Sequence, residues 1–227
     1  MFEMEIEPIA RIRTDFPEKF GIPRQSGLVQ ELVGEVVFEG RYRNPDALRG
    51  IEGFTHLWLI WGFSENVRDE QPLLVRPPRL GGNEKRGVFA TRSPYRANNL
   101  GLSCVRLEAV VKTEDRGTVL RVRGADLMDG TPIYDVKPYI PYTDSHPEAA
   151  GGFASEPDEG VLEVSCPDAL AAKLGDKAQA VFDVLARDPR PAYHHDPSRR
   201  YEMGFAGFQV GFTVDGGVLT VCEVRHG

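Results

Sequence analysis

Seven short strand-like runs, separated by turns rich in glycine or proline, fill the first part of the chain: Ile6 to Ile12, Val33 to Phe38, Phe54 to Phe63, Gly87 to Ala90, Leu102 to Val111, Thr118 to Arg123 and Ile133 to Val136. Runs of this length and spacing predict a mainly antiparallel sheet or barrel. The strand-helix alternation of a doubly wound sheet is missing, as is any GxGxxG turn between strand and helix, so a Rossmann-type nucleotide site is disfavoured. Helical signals are sparse here. Asn44-Pro45 fits an N-cap followed by proline at the first position, opening a short helical turn that Gly50 or Gly53 ends.

The character changes after Ala149 to Gly160, a small, polar stretch that reads as a linker or mobile loop. Leu170, Leu174, Val181 and Leu185 then recur at helical spacing over Asp168 to Arg187, and Asp188-Pro189 stops the run. Phe208 to Val214 and Val218 to Val224 alternate around Asp215-Gly216-Gly217, a hairpin signal. The expected organisation is a β-barrel-like domain over 1–148, a linker over 149–160 and a small α+β domain over 161–227.

At 227 residues, 41% hydrophobic and 27% charged, the chain can bury one large core or a main core and a smaller one. Its most apolar stretch, Leu57 to Phe63, is too short to span a bilayer, and a cytoplasmic, membrane-free protein is expected. Cys104, Cys166 and Cys222 are odd in number and widely spaced, which supports neither a disulfide framework nor a zinc knuckle; buried thiols are expected. The net charge of -7 argues against nucleic-acid binding by bulk charge. Yet Arg76 to Arg96 holds six bases against one acid, and from Gly151 onward seven bases face twelve acids. A basic loop on an acidic protein fits an anionic ligand or a focused RNA contact.

Asp129 to Asp144, DGTPIYDVKPYIPYTD, carries charge where folding does not require it. Pro132, Pro138 and Pro141 fix φ and push the residues before them into extended geometry, so a stiff, strand-like segment is expected. Strand alternation puts Asp135, Lys137 and Tyr139 on one face and Val136, Pro138 and Ile140 on the other, core face. A protected edge strand is the competing reading. Val75 to Ser103 crowds arginine, asparagine, serine and glycine around one short strand, the composition of a ligand-holding loop. Arg92, at the end of that strand, is the first choice for an anionic contact. His56 lies in an apolar strand and reads as a hydrogen-bonded core residue. His194-His195-Asp196 lacks a third ligand at a diagnostic spacing, so no metal is expected. No serine or cysteine sits in a nucleophile elbow.

Several blocks, in order, resemble the TsaA-like (TrmO) family: PRQSGL at Pro23 to Leu28, EGFTHLWLIW at Glu52 to Trp61, VRPPRLGG at Val75 to Gly82, RGVFATRSPYR at Arg86 to Arg96, DGTPIYDVKPYIPYTD, and DPRPAY at Asp188 to Tyr193. The resemblance implies a compact, non-Rossmann barrel that uses S-adenosylmethionine to methylate N6 of threonylcarbamoyladenosine beside the tRNA anticodon. It also implies a homodimer with a C-terminal domain that helps to hold tRNA. By resemblance the cofactor lies against Ser26, Gly27, Leu28, Ser64, Glu65, Arg92, Leu102, Asp129, Gly130, Thr131 and Pro132. One block departs: the family commonly has RPNPIG where this chain has Arg96-Ala97-Asn98-Asn99-Leu100-Gly101, and losing both prolines should loosen that loop. A non-catalytic cofactor- or tRNA-binding protein of the same fold stays open on the sequence. If transfer occurs, Asp135 or Asp144 is expected to accept or orient the departing proton. Lys137 is expected to bind the threonyl carboxylate or a phosphate, and Tyr139 and Tyr142 to stack on the base. Arg187, Arg190, Arg199 and Arg200 are expected to face the RNA.

Overall fold

A computed structural model describes residues 5–66, 72–155, 161–191, 194 and 196–227. Strands β1 (Ala10–Arg13), β2 (Val33–Phe38), β3 (His56–Gly62), β6 (Leu100–Thr113), β7 (Gly117–Arg123) and β8 (Pro132–Pro138) pair in the cycle β1-β2-β7-β6-β3-β8 and back to β1, closing an antiparallel barrel. The mainly β, non-Rossmann expectation holds. Between β3 and β6 lies a two-stranded hairpin of β4 (Leu74–Val75) and β5 (Arg86–Gly87). Barrel closure follows from strand chemistry: Ile12, Val36, Leu57, Leu59, Val105, Leu120 and Ile133 point inward and are buried, while the residues between them face out. Each such Leu or Ile truncated to Ala costs about 2–5 kcal/mol.

The second unit is a four-stranded sheet in the order β10 (Tyr201–Phe205), β11 (Phe208–Asp215), β12 (Val218–His226) and β9 (Glu163–Ser165), with β9 parallel to β12. Two helices, α2 (Asp168–Leu174) and α3 (Ala178–Ala186), accompany it. The single helix expected from Asp168 to Arg187 is broken at Gly175, whose φ of 57° and ψ of -127° lie outside helical geometry. The hairpin around Asp215-Gly216-Gly217 forms as expected. The sequence units are not independent in packing, because the core of the second unit takes in Phe16, Phe20, Ile22, Val29 and Leu32 from the segment between β1 and β2.

Several local expectations are corrected. Ile6 to Ile9 precede β1 instead of joining it, and Val88–Ala90 is a 3-10 turn, so no strand end fixes Arg92. Asp129 to Asp144 is not one strand. It is a turn, then β8, then the helical turn α1 (Pro141–Asp144), and Pro138 is exposed instead of core. His56 is hydrogen-bonded, with Nδ1 3.0 Å from Thr55 Oγ1, but it stands half-buried on the outer wall. Cys104 and Cys166 are half-buried and Cys222 is exposed, so none is the buried thiol expected. Asn44 does cap the turn Pro45–Leu48, accepting from the Asp46 N–H at 3.0 Å. Within the expected linker, Gly152–Ala154 forms a 3-10 turn and residues 156–160 lie outside the described residues, as do Ala192, Tyr193 and His195. Among the described residues no helix is long and apolar enough to cross a membrane, and no group of residues is placed to hold a metal.

Candidate active site

One end of the barrel gathers the loops of interest. There β1, β3 and β7 finish and β2, β6 and β8 begin, so segments 14–32, 63–66, 72–99 and 124–131 gather at that end. Because β7 pairs with β6 only from Arg106 onward, the first residues of β6 are left for another partner. The Arg24 to Leu28 loop takes that place. The Cys104 N–H donates to Ser26 Oγ at 3.2 Å, and the Gly27 N–H donates to the Gly124 carbonyl at 2.9 Å. A side chain at Gly124 would strike Gly27 Cα at 3.1 Å, so two glycines, both at positive φ, permit this approach.

Beneath the loop lies a buried polar chain that the sequence reading missed. The Trp61 indole N–H donates to Ser103 Oγ at 2.9 Å, and the Ser103 hydroxyl donates to Asp126 Oδ1 at 2.6 Å. The Ser26 N–H also donates to the Asp126 carboxylate, and the Arg92 guanidinium attracts it. Burial pushes the Asp126 carboxyl up and outweighs these favourable contacts. Arg92 hydrogen-bonds the Gln25 side chain. Ala125 and Leu127, on either side of Asp126, are both buried, which only the fold reveals.

On the outer wall, cross-strand registers form rows. Leu102, Ile60 and Asp135 share one row, and Cys104, Trp58 and Lys137 the next. Leu102 is 53% exposed, and with Cys104 it floors a strip between the Ser26 loop and Trp58. Two strand spacings make that strip about 10 Å wide. Across it, Asp144 Oδ2 accepts from the Trp58 indole N–H at 3.0 Å and from the Ile140 N–H at 2.8 Å. Those two donors, Ile140 first, hold its carboxyl below the usual value of 3.8. Lys137 Nζ pairs with Asp135 Oδ2 at 3.0 Å, Tyr139 packs on Trp58 at 5.7 Å, and Tyr142 is exposed. Burial, then the Asp144 charge, raise the Cys104 thiol, which disfavours a thiolate there.

The remaining expected positions sit apart from this strip. The Asp129 carboxylate accepts from Arg13 Nη1 at 3.2 Å and from the Thr14 N–H at 3.0 Å, while Thr131 is buried and donates its hydroxyl to the Met128 carbonyl at 2.7 Å. The Gly130 N–H donates to the Ile12 carbonyl at 2.8 Å, and Pro132 opens β8 opposite Arg11. Ser64 lines a cavity of about 490 Å³ with Ile6, Phe63, Asn98, Asn99 and Tyr134. The Glu65 carbonyl accepts from Lys19 Nζ at 2.7 Å. In the departing RANNLG block, Asn99 adopts φ of 47°, donates its N–H to the Arg96 carbonyl at 3.1 Å and its side-chain amide to the Pro94 carbonyl at 2.8 Å. Proline could adopt neither that angle nor that bond, so hydrogen bonds hold the loop in place of rings.

The expected RNA-facing arginines of the second unit are engaged within the protein. Arg190 pairs with Asp188, Arg200 with Glu223 and Glu202, Arg199 lies over the Tyr201 ring, and Arg187 reaches the Leu28 carbonyl. His194 stacks beside Tyr201 near Arg199.

A closed barrel joined to a small sheet unit is an architecture that a class of tRNA methyltransferases shares. Residues 11–145 match the family model of the tRNA-methyltransferase O N-terminal domain, and residues 161–227 match that of the TrmO C-terminal domain. The chain belongs to the TrmO family. It is 38% identical over 230 residues to the Escherichia coli tRNA (adenine(37)-N6)-methyltransferase, covering 92% of this chain and 97% of that one. A Pseudomonas aeruginosa relative named as an S-adenosylmethionine-dependent methyltransferase is 41% identical over 204 residues, 86% of each chain. The crystal structure of TrmO from Pseudomonas aeruginosa superposes with a TM-score of 0.81 at 31% identity, covering 99% of both chains.

Proposed function

We propose that the chain transfers a methyl group from S-adenosylmethionine to N6 of adenosine 37 of tRNA, with N6-threonylcarbamoyladenosine as the acceptor. The observation that carries this reading is that both family models match, in order, along nearly the whole chain. When bound, the cofactor supplies an activated sulfonium methyl, and the protein's part is to align the acceptor and exclude water. Ser26 to Leu28 and Arg92 hold the donor side of the outer strip, with Leu102 as its floor. Asp129 to Pro132, Ser64 and Glu65 complete the donor site from the mouth.

On the acceptor side, Tyr139 and Tyr142 stack on the base and Lys137 meets the threonyl carboxylate or a phosphate. Asp144 accepts from the Trp58 indole and the Ile140 N–H and orients Trp58. Asp135 accepts the proton leaving the urea-like nitrogen. The protein acts in the cytoplasm as a homodimer.

Nucleoside mass spectrometry of threonylcarbamoylated tRNA incubated with protein and cofactor tests the function. Failure of the methylated nucleoside to form on properly modified tRNA would sink it. Asp135→Asn should slow single-turnover transfer roughly 100-fold, at the lower end of general-base effects. A rate near wild type in a variant that still binds cofactor removes Asp135 from the mechanism.

A further inference from the structure

The chain from Thr14 to Leu32 contains or touches several of the residues assigned above to the methyl donor. It contains Ser26 to Leu28. Its Lys19 holds the Glu65 carbonyl, its Thr14 N–H caps the Asp129 carboxylate, and the Phe16 carbonyl accepts from the Asp129 N–H at 2.8 Å. Yet the apolar side chains of this segment do not pack in the barrel. Phe16, Phe20, Ile22, Val29 and Leu32 belong to the core built by α3 and the C-terminal sheet, and Phe16 meets Phe205 edge to face at 5.1 Å.

Polar ties point the same way. Lys177 Nζ reaches Asp15 Oδ2 at 2.7 Å, the Gly204 N–H donates to Glu18 Oε1 at 3.3 Å, and the Ala206 N–H donates to the Asp15 carbonyl at 2.8 Å. At the end of α3, Arg187 Nη2 donates to the Leu28 carbonyl at 3.1 Å. The donor loop therefore hangs between two bodies. Asp126, Cys104 and Gly124 hold it from the barrel, and Arg187 with the flanking Ile22 and Val29 holds it from the C-terminal unit.

We propose that the C-terminal unit is a structural half of the methyl-donor site, with Arg187 as the positioning residue that fixes the Ser26 to Leu28 loop through the Leu28 carbonyl. This rests on the donor-site reading above. Arg187 does not touch the donor. It acts through one backbone carbonyl, and a cationic donor to a carbonyl is among the stronger hydrogen bonds.

Calorimetry on the full chain, with S-adenosylmethionine and no tRNA, tests it. Arg187→Ala should weaken cofactor binding about fivefold to tenfold. The KM for cofactor should rise in step, while kcat at saturating cofactor and tRNA and the Kd for tRNA stay at wild-type values. Arg187→Lys, which keeps a cationic donor, should recover most of the loss. Lys177→Met, at the other end of the segment, should weaken cofactor binding about twofold, and it carries the test alone if Arg187→Ala does not fold. Unchanged cofactor affinity in folded Arg187→Ala overturns the proposal, and so does a loss confined to tRNA affinity, which would make Arg187 an RNA contact. Absence of cofactor binding by the wild-type chain would instead sink the donor-site reading itself.

Discussion

Trp58 and Trp61 stand three residues apart on β3, face opposite sides of the barrel wall, and each directs its indole N–H toward a carboxylate. Inside, Trp61 reaches Asp126 through Ser103; outside, Trp58 reaches Asp144 directly. The residue types are nearly the same and the consequences are opposite. Burial raises the Asp126 carboxyl, whereas two donors near solvent lower that of Asp144. The difference teaches that the number of donors does not set the charge state: Asp126 has at least the Ser103 and Ser26 donors and is still pushed up, because desolvation exceeds them. The inner carboxylate is a structural hub and the outer one a surface fixture.

Four substitutions can break that contrast. The largest effect belongs to Asp126→Ala, which strands the buried Ser103 hydroxyl and removes the acceptor of the half-buried Ser26 N–H, and should cost about 2–3 kcal/mol. Calorimetric melting would show it as a fall of roughly 4–12 °C for a chain of this size. A melting temperature within about 1 °C of wild type would mean that the hub is not structural. Next, Trp58→Phe keeps the ring surface but removes the donor to Asp144, and denaturant titration should register a loss well below that of Asp126→Ala. A loss equal to that of Asp126→Ala would erase the distinction between inner and outer sites.

The smallest effect lies in the acid limb. Asp144 has a lowered folded pKa, so its stabilising contribution is present above its unfolded value near 4 and is lost as pH falls through the folded value. Asp144→Asn should flatten the stability profile below about pH 4 and leave its shape unchanged near neutrality. Asp126 has the reverse sign. Its folded pKa is raised, so ionisation costs stability above that value and acidification relieves the cost. Stability curves of Asp144→Asn and Asp126→Asn that shift in the same direction would refute the opposite environments.

Much of this was legible in the residues. The strands β2, β3, β6 and β7 fall where period-two patterning puts them, and Asn44-Pro45 marks its turn. Arg92, expected at a strand end and aimed at an anion, follows a 3-10 turn and is held by the Gln25 side chain instead. Asp126 was not legible, since a lone acid in Gly124-Ala125-Asp126-Leu127 looks like any turn until Ser103 and Trp61 are brought to it from two other strands. Nor was the destination of Phe16, Phe20 and Ile22. Apolar residues in an irregular segment carry no period, and only the fold says which of two cores receives them.

Simple alternation along β8 puts Ile133 and Asp135 on one face, yet Ile133 is buried in the barrel and Asp135 faces out. The cause is a register shift: Ile60 stands opposite Asp135 and the adjacent Trp61 opposite Ile133, leaving Tyr134 as an extra residue. Its ring lies where a side chain at Gly62 would collide, at 2.8 Å, and it walls the mouth cavity. Deleting Tyr134 would leave Ile133 opposite Trp61 and Asp135 opposite Ile60. Both faces of the strand would survive, and the cavity would lose its aromatic wall. One residue gained or lost at this point therefore reshapes the mouth cavity while Asp135 and Lys137 stay aimed at the outer strip.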